Sequence, residues 1–511
     1  MKKLSSFQAR FATLINWILS CFDRVIFKGY LPISRPYEFE RFVDHVLKMR
    51  RADFIKILAP QWSDRIVSHS KRLAQQRGRT WKYAVGHVDK DGWAKALLQK
   101  HPVTEGLVGV LCVMESCPTF KLASGKDRPQ FVSRMVPQRV LYFYFVDKDL
   151  GLMHVRLQTW APFTCQVYVN DHDYLARQLK KGITFQQIDN AFVALGDPAA
   201  AQRHADRFAN LPWPKILERY ARRVNPLLDK ELRKASHYWV ADQAEYASDI
   251  RFHKPAHLAV LFRWLLDYAL LTFSPKKIFC YLGRKWHERF DGEVQTRYKS
   301  VREPGACIKH LMKGNWLKMY DKLGLLIRVE TVINQPGEFK VLRECQHRDG
   351  SKSTGWFAMG KGVGNLHHYQ SHALACNERY LEALASVKDP TPSYDDLKEL
   401  TERRREKGRS SAGFNPAREE ETRLFAAVLE GDHIAQGFRN KDIRAAIPGD
   451  TLPNKNRRSR SAAVGRMLKR LHVRGLVVKV PRTRRWRVTG KGRRVLGDTL
   501  MTYCRYKSQV A

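Results

Sequence analysis

The chain has 511 residues, 44% hydrophobic and 11% aromatic, with a formal net charge of +41 from 91 Lys and Arg against 50 Asp and Glu. That length holds two or three domains, the apolar content excludes a disordered chain, and the cationic excess selects polyanions as partners, nucleic acid first. Nine scattered cysteines, an odd number, are no disulfide framework and suit a reducing cytoplasm.

The N-terminus, "MKK" followed by "FATLINWILSCF" (11–22), has the outline of a signal peptide. Arg10 and Asn16 interrupt it, and no small-residue cleavage pattern follows. No run reaches the roughly 18 apolar residues that a membrane helix needs, so no membrane partner is expected. Residues 1–105 read as a helical region: "PYEFERFVDHVLKM" and "WSDRIVSHSKRLAQQRG" carry helical apolar spacing. From 106 the pattern changes to strands. "GLVGVLCVMES" (106–116), "RVLYFYFVD" (139–147), "GLMHVRLQTW" (151–160) and "FTCQVYV" (163–169) follow one another closely, which requires antiparallel pairing. Residues 171–300 read as helix again. "HLAVLFRWLLDYALLTF" (257–273) is a core helix, and "SHYWVADQAEYASDIRF" (236–252) is a helix with Glu245 and Asp249 one turn apart, which supply metal ligands opposite Glu330 or, as the favoured reading, form a solvated face. Residues 106–387 together form an α+β core, an antiparallel sheet with helices. His368, His372 and Cys376 share one helix face, without the spacing of a zinc finger.

"NWLKMYDKLGLLIRVETVIN" (315–334) reads as a hairpin turning at Gly324. A three-residue loop at 323–325 pairs Lys322 with Leu326, Tyr320 with Arg328 and Lys318 with Glu330. One face then carries Lys318, Tyr320, Lys322, Arg328 and Glu330; the other carries Leu317, Met319, Ile327, Val329 and Thr331, with Asp321 near the turn. Asp321 and Glu330, with His154 from "GLMHVRLQTW", offer oxygen and nitrogen ligands for Mg²⁺ or Mn²⁺. Tyr320 could attack a phosphodiester while Lys318 and Arg328 stabilise the developing charge. The bland alternative is a solvated strand face, where each cross-strand pair contributes a few tenths of a kcal/mol.

Composition shifts at 388–418, a charged, turn-rich stretch that reads as a linker, part helical. Residues 419–511 then give helix, short helix, helix and hairpin. "SRSAAVGRMLKRLHVRGLVVKV" has Val464, Met467, Leu468 and Leu471 on one side and stops at Gly475. Residues 451–511 hold 18 Lys and Arg against one acidic residue, Asp498. Arg457, Arg458, Arg460, Arg466, Lys469 and Arg470 belong to the third helix and its approach. Arg482, Arg484, Arg485 and Arg487 belong to the hairpin tip. This distribution is the electrostatic footprint of a nucleic-acid-binding module, with DNA the expected partner.

The sequence of this module, "LHVRGLVVKVPRTRRWRVTGKG", resembles the wing of MarR-type winged-helix domains. The resemblance implies a winged helix-turn-helix at 419–511, with the third helix in the major groove. "LKMYDK" and "IRVETVI" resemble a strand pair in the nicking domain of plasmid and filamentous-phage rolling-circle replication initiators, and "IFCYLGRKWHERFDGEV" (278–294) resembles the strand that precedes it there. That resemblance implies a metal-dependent nickase with a tyrosine nucleophile, Tyr320 or, from the preceding strand, Tyr281. No two-histidine metal motif accompanies it. "FDRVIFKGYL" (22–31) and "GLMHVRLQTWAPF" resemble a set of uncharacterised bacterial proteins of similar length that end in a winged helix. The expected function is thus DNA binding, with strand-nicking or replication-initiator activity of a mobile element in the body. The alternatives are a non-catalytic winged-helix transcriptional regulator and an RNA-binding protein.

Overall fold

The computed structural model describes residues 6–125, 128–180, 182–284, 293–299, 306–347, 349–385, 394–406, 408–429, 437–447, 457–481, 483–493, 495–497, 499–500 and 503. The protein is α+β. It forms two compact units, each discontinuous in sequence. A central unit comprises Leu19–Ser248 and Val332–Leu374; a hairpin unit comprises Met1–Ile18, Asp249–Thr331 and Ala375–Ala511. Among the described residues no single helix is long and apolar enough to cross a membrane.

In the central unit, strands β1 (Ile15–Tyr30), β2 (Thr80–Ala84), β3 (Gly106–Ala123), β4 (Gln130–Asp147), β5 (Gly151–Gln158) and β6 (Cys165–Val169) lie in the order β1-β6-β5-β4-β3-β2. A small hairpin, β7 (Phe185–Ile188) and β8 (Ala191–Leu195), stands apart, and β9 (Tyr238–Phe252) lies beside β1. The pairs β3–β4, β4–β5 and β5–β6 are antiparallel, as their short links require, β6–β1 is antiparallel too, and β2 runs parallel to β3. The four strands expected between 106 and 169 are all present.

Two expectations fail in this region. Residues 1–105 are not simply helical, because the long β1 fills 15–30. Its odd-numbered residues from Trp17 to Gly29 form the buried face, but Ile18 and Phe22 complete a short apolar run at 17–22 that reads alike for a buried helix and a buried strand. Residues 236–252 form β9 rather than a helix. Glu245 and Asp249 are buried, at 2% exposure each, and do not belong to a solvated face. Spacing of four places residues on one side of a strand as well as of a helix.

In the hairpin unit, β10 (Val294–Lys299), β11 (Cys307–Met312), β12 (Asn315–Lys322) and β13 (Leu326–Ile333) lie in sequence order. The core helix Pro255–Thr272 matches its expected position; the helix Leu366–Leu384 also contributes its C-terminal half. The helix Ser6–Arg10 is fastened to that half, with Ser6 N donating to Glu382 Oε2 at 3.1 Å. His310 is buried, its Nδ1 3.0 Å from Thr296 Oγ1 and its Nε2 3.0 Å from the Tyr380 hydroxyl.

The stretch read as a linker is largely structured. Tyr394–Thr401 is a helix, and β16 (Arg404–Glu406) pairs with β17 (Arg409–Ser411). Leu400 and Phe414 join the same core as Leu424, Phe425 and Leu468. Arg474, only 2% exposed, holds this strap. Its guanidinium donates to the carbonyls of Leu400 (3.2 Å), Glu402 (2.6 Å), Ala412 (2.9 Å) and Arg470 (3.0 Å). A Cβ on Gly413 would stand 1.6 Å from the Thr401 carbonyl oxygen, so only glycine fits that approach.

Two outcomes follow. Arg474→Met keeps the bulk but leaves buried carbonyls without donors, a loss of about 3 kcal/mol; hydrogen-exchange protection over residues 400–414 should fall, and unchanged protection would refute the strap. The second concerns His310. Burial pushes its pKa down to about 3. An unfolded histidine takes its proton near pH 6.5, so this group's contribution is present above that pH and is lost as pH falls from about 6.5 towards 3. Its ring resonances should stay flat from about pH 8 to about pH 5, whereas a midpoint inside that interval would contradict the buried, neutral ring.

Candidate nucleic-acid interface

The C-terminal module is built from the helices Glu419–Val428, Asn440–Ala446 and Arg457–Val473, then β18 (Val477–Lys479) paired with β19 (Trp486–Val488). Val464, Leu468 and Leu471 recur at helical spacing and pack with Leu424, Phe425, Val428 and Ile443. Gly475 ends the third helix at φ 71°, as expected from sequence. The Asn440 amide donates to the Ser461 carbonyl at 3.0 Å, and Ser461 Oγ donates to Asn440 Oδ1 at 3.2 Å, tying the second helix to the third. Phe438 exchanges two backbone hydrogen bonds with Trp486, of 2.9 and 2.7 Å, so the hairpin is anchored beside the start of the second helix.

With the apolar stripe turned inward, Arg458, Arg466 and Lys469 stand exposed on the helix Arg457–Val473. Lys479, Arg484 and Arg487 are exposed on the hairpin. Arg460 and Arg485 are half-buried. Lys479 was missed by the sequence reading; it ends β18 exposed, although it shares a strand side with the buried Val477. Arg470 is a correction to that reading. Its Nη2 donates to Glu421 Oε1 at 2.9 Å and its guanidinium covers the Phe414 ring at 3.9 Å, so it braces the module instead of facing a phosphate. The Arg457 backbone is helical. Arg482 lies outside the described residues.

The β12–β13 hairpin turns where expected: Leu325 N donates to the Lys322 carbonyl at 3.2 Å, across Leu323 and Gly324 at φ 62° and 64°. The face assignment also holds. Lys318 Nζ lies 2.7 Å from Glu330 Oε1, and the Tyr320 hydroxyl donates to Glu330 Oε2 at 3.1 Å. β13, however, is buried along its whole length, so this is no solvated surface. Arg328 is fully buried and grips Asp249 with two bonds, Nε to Oδ1 at 2.6 Å and Nη2 to Oδ2 at 2.7 Å. That fork is spent on Asp249, which removes Arg328 from the expected catalytic role. Asp321 Oδ1 accepts from Gly324 N at 2.9 Å, which makes it a turn cap, and burial raises its pKa. Both facts weigh against a role as a metal ligand.

Tyr281 ends the helix Pro275–Tyr281 and does not lie in a strand. It is buried against Phe273 and Tyr380, its phenol pushed up by burial, and it does not fit the role of nucleophile. His154 belongs to the central unit. It stacks on Tyr168 at 4.8 Å, and burial pushes it down to about 4. On the same strand Arg156 forks onto Glu115 Oε2 at 3.0 and 2.9 Å, so these polar residues satisfy a local network.

One feature of the hairpin unit escaped the sequence reading. Arg297 is directly opposite Lys309, and Lys309 is directly opposite Lys318, across three successive strands. Directly opposed like charges destabilise a sheet. Lys309 Nζ rests 3.6 Å from the Trp316 ring centroid, which relieves part of that cost. No protein-family model, curated protein or solved structure matches this chain, and the chemistry of these residues carries the functional reading.

Proposed function

We propose that the protein binds DNA in the bacterial cytoplasm through its C-terminal module, in the manner of a winged helix-turn-helix. The helix Arg457–Val473 enters the major groove, and the β18–β19 hairpin meets the flanking backbone. The observation that carries this reading is the sorting of cations within one module. Arg470 and Arg474 turn inward onto carbonyls and a carboxylate, while Arg458, Arg466, Lys469, Lys479, Arg484 and Arg487 remain exposed. Arginines needed only for solubility would have no reason to concentrate on one helix and the adjoining hairpin. Phosphate contacts from these groups position the module, and a few residues of the helix read bases.

The test is fluorescence anisotropy of the full chain with labelled duplex DNA over a salt series. Binding should weaken with a log–log slope of about −0.9 per phosphate contacted. The double variant Arg466→Glu, Lys469→Glu should bind any duplex about tenfold more weakly or worse, with a shallower slope. Salt-insensitive binding, or an unchanged double variant, would remove this interface; preference for structured RNA of the same length would make the partner RNA.

A second reading rests on the hydroxyl of Tyr320 donating to the Glu330 carboxylate at 3.1 Å. A phenol beside a base is an activated nucleophile. In that reading Tyr320 Oη attacks a phosphodiester, Glu330 takes the phenolic proton, and the displaced strand leaves through its sugar oxygen. Mg²⁺ or Mn²⁺, supplied in the assay, neutralises the phosphate. The wild-type chain should nick supercoiled DNA and leave a protein–DNA adduct that survives denaturation. Tyr320→Phe should lose the adduct and keep the salt-dependent binding. Absence of both nick and adduct in either metal assigns the hairpin to structure alone.

A further inference from the structure

The central unit contains a cavity of about 490 Å³ lined by Leu47, Leu58, Gln61, Trp62, Arg65, Lys230, Glu231 and Arg233. One wall is a face of the helix Ala59–Gln76 and the residue before it. Leu58, Trp62 and Arg65 recur there at helical spacing, with Gln61 beside them. The opposite wall is the turn at 230–233. Two contacts bridge the walls: Arg65 Nη1 pairs with Glu231 Oε1, and Arg233 Nη2 donates to the Val46 carbonyl at 3.3 Å.

Three observations mark this cavity as a binding site. Its backbone is strained. Arg233 and Lys234 stand at φ 50° and 57°, and Lys48, next to the lining Leu47, stands at φ 50°. Non-glycine residues are held in that region only where surrounding structure imposes it, and such residues collect at ligand clamps. Its charge is unbalanced, with Arg65, Lys230 and Arg233 facing the single carboxylate of Glu231. Lastly, Leu47 and Leu58 are only half-buried where they line the cavity, so an apolar wall stands beside the cations.

We propose that this cavity binds a nucleoside monophosphate. The phosphate meets Lys230 and Arg233, which are exposed at the mouth. The base lies along Leu47, Leu58 and the edge of Trp62. The volume falls within the roughly 300–1,000 Å³ of small-molecule sites. A bare inorganic anion would use the cations and leave the apolar wall uncovered.

Isothermal titration of the full chain with AMP, GMP, CMP and UMP in turn, and with inorganic phosphate, tests this. At least one nucleotide should bind saturably, about tenfold or more tighter than phosphate. Two variants remove a cation each. Arg233→Gly suits a residue at positive φ and relaxes the backbone, and Lys230→Ala changes an exposed side chain. Each should weaken that nucleotide about tenfold at an unchanged melting temperature. Arg466→Glu, Lys469→Glu should leave nucleotide binding untouched, which separates this site from the DNA interface. The proposal is overturned if no nucleotide binds saturably at roughly millimolar concentration, if phosphate binds as well as every nucleotide, or if both folded variants retain wild-type affinity.

Discussion

The hairpin unit depends on one buried ion pair. Arg328 and Asp249 are both out of solvent, and the guanidinium grips the carboxylate through two hydrogen bonds. A lone charge at either place would cost several kcal/mol. A strand that slipped by one residue would turn Arg328 to the opposite face and bring Ile327 or Val329 in its place. The pair therefore acts as a register pin. It fixes which residues of β13 point which way, and so it places Glu330 under Lys318 and Tyr320 while Leu317 and Met319 pack on the other side.

The same economy of charge governs the C-terminal module. The long cationic run offered the fold many interchangeable groups, and packing decides which are used internally. Arg474 is drawn in because the ends of a helix and of a strap leave carbonyls that lack donors, and a guanidinium can serve several at once. Arg470 follows because Glu421 and the face of Phe414 flank it. Arg466 and Lys469 of the same helix remain in solvent.

Much of this was legible where alternation or helical spacing was clean. The strands between 106 and 169, the core helix, the turn at Gly324, the two faces of β12 and the stop at Gly475 all follow from local pattern. What was hidden has physical causes. β1 buries its odd-numbered residues from Trp17 to Gly29, but Ile18, Phe22 and Ile26 put apolar residues on its other face and blur that alternation. The strap at 394–414 has few apolar residues to announce it, and its ties run from backbone carbonyls to an arginine some sixty positions later, at a separation that local patterns do not encode. Charged residues mislead in both directions. Arg328, Arg470 and Asp321 looked like chemistry and serve structure, while Lys479 and the directly opposed Arg297 and Lys309 looked ordinary. The cavity left no sequence signal at all, because its walls come from residues far apart in the chain.

The hairpin unit is assembled from three separate stretches, and its first belongs to the N-terminal end of the chain. His253 N reaches back to the Leu14 carbonyl at 3.0 Å, and Ser6 reaches forward to Glu382. On a ribosome, then, the opening segment emerges long before anything it binds. The stretch from Leu19 to Ser248 can collapse in the order it is made. The N-terminal piece can meet His253 only once that residue has emerged, and Ser6 can meet Glu382 only once the helix ending at Leu384 has left the exit tunnel. Maturation of the hairpin unit is thus timed by translation of the distal half, and a fragment cut by linear boundaries would carry strands without their mates.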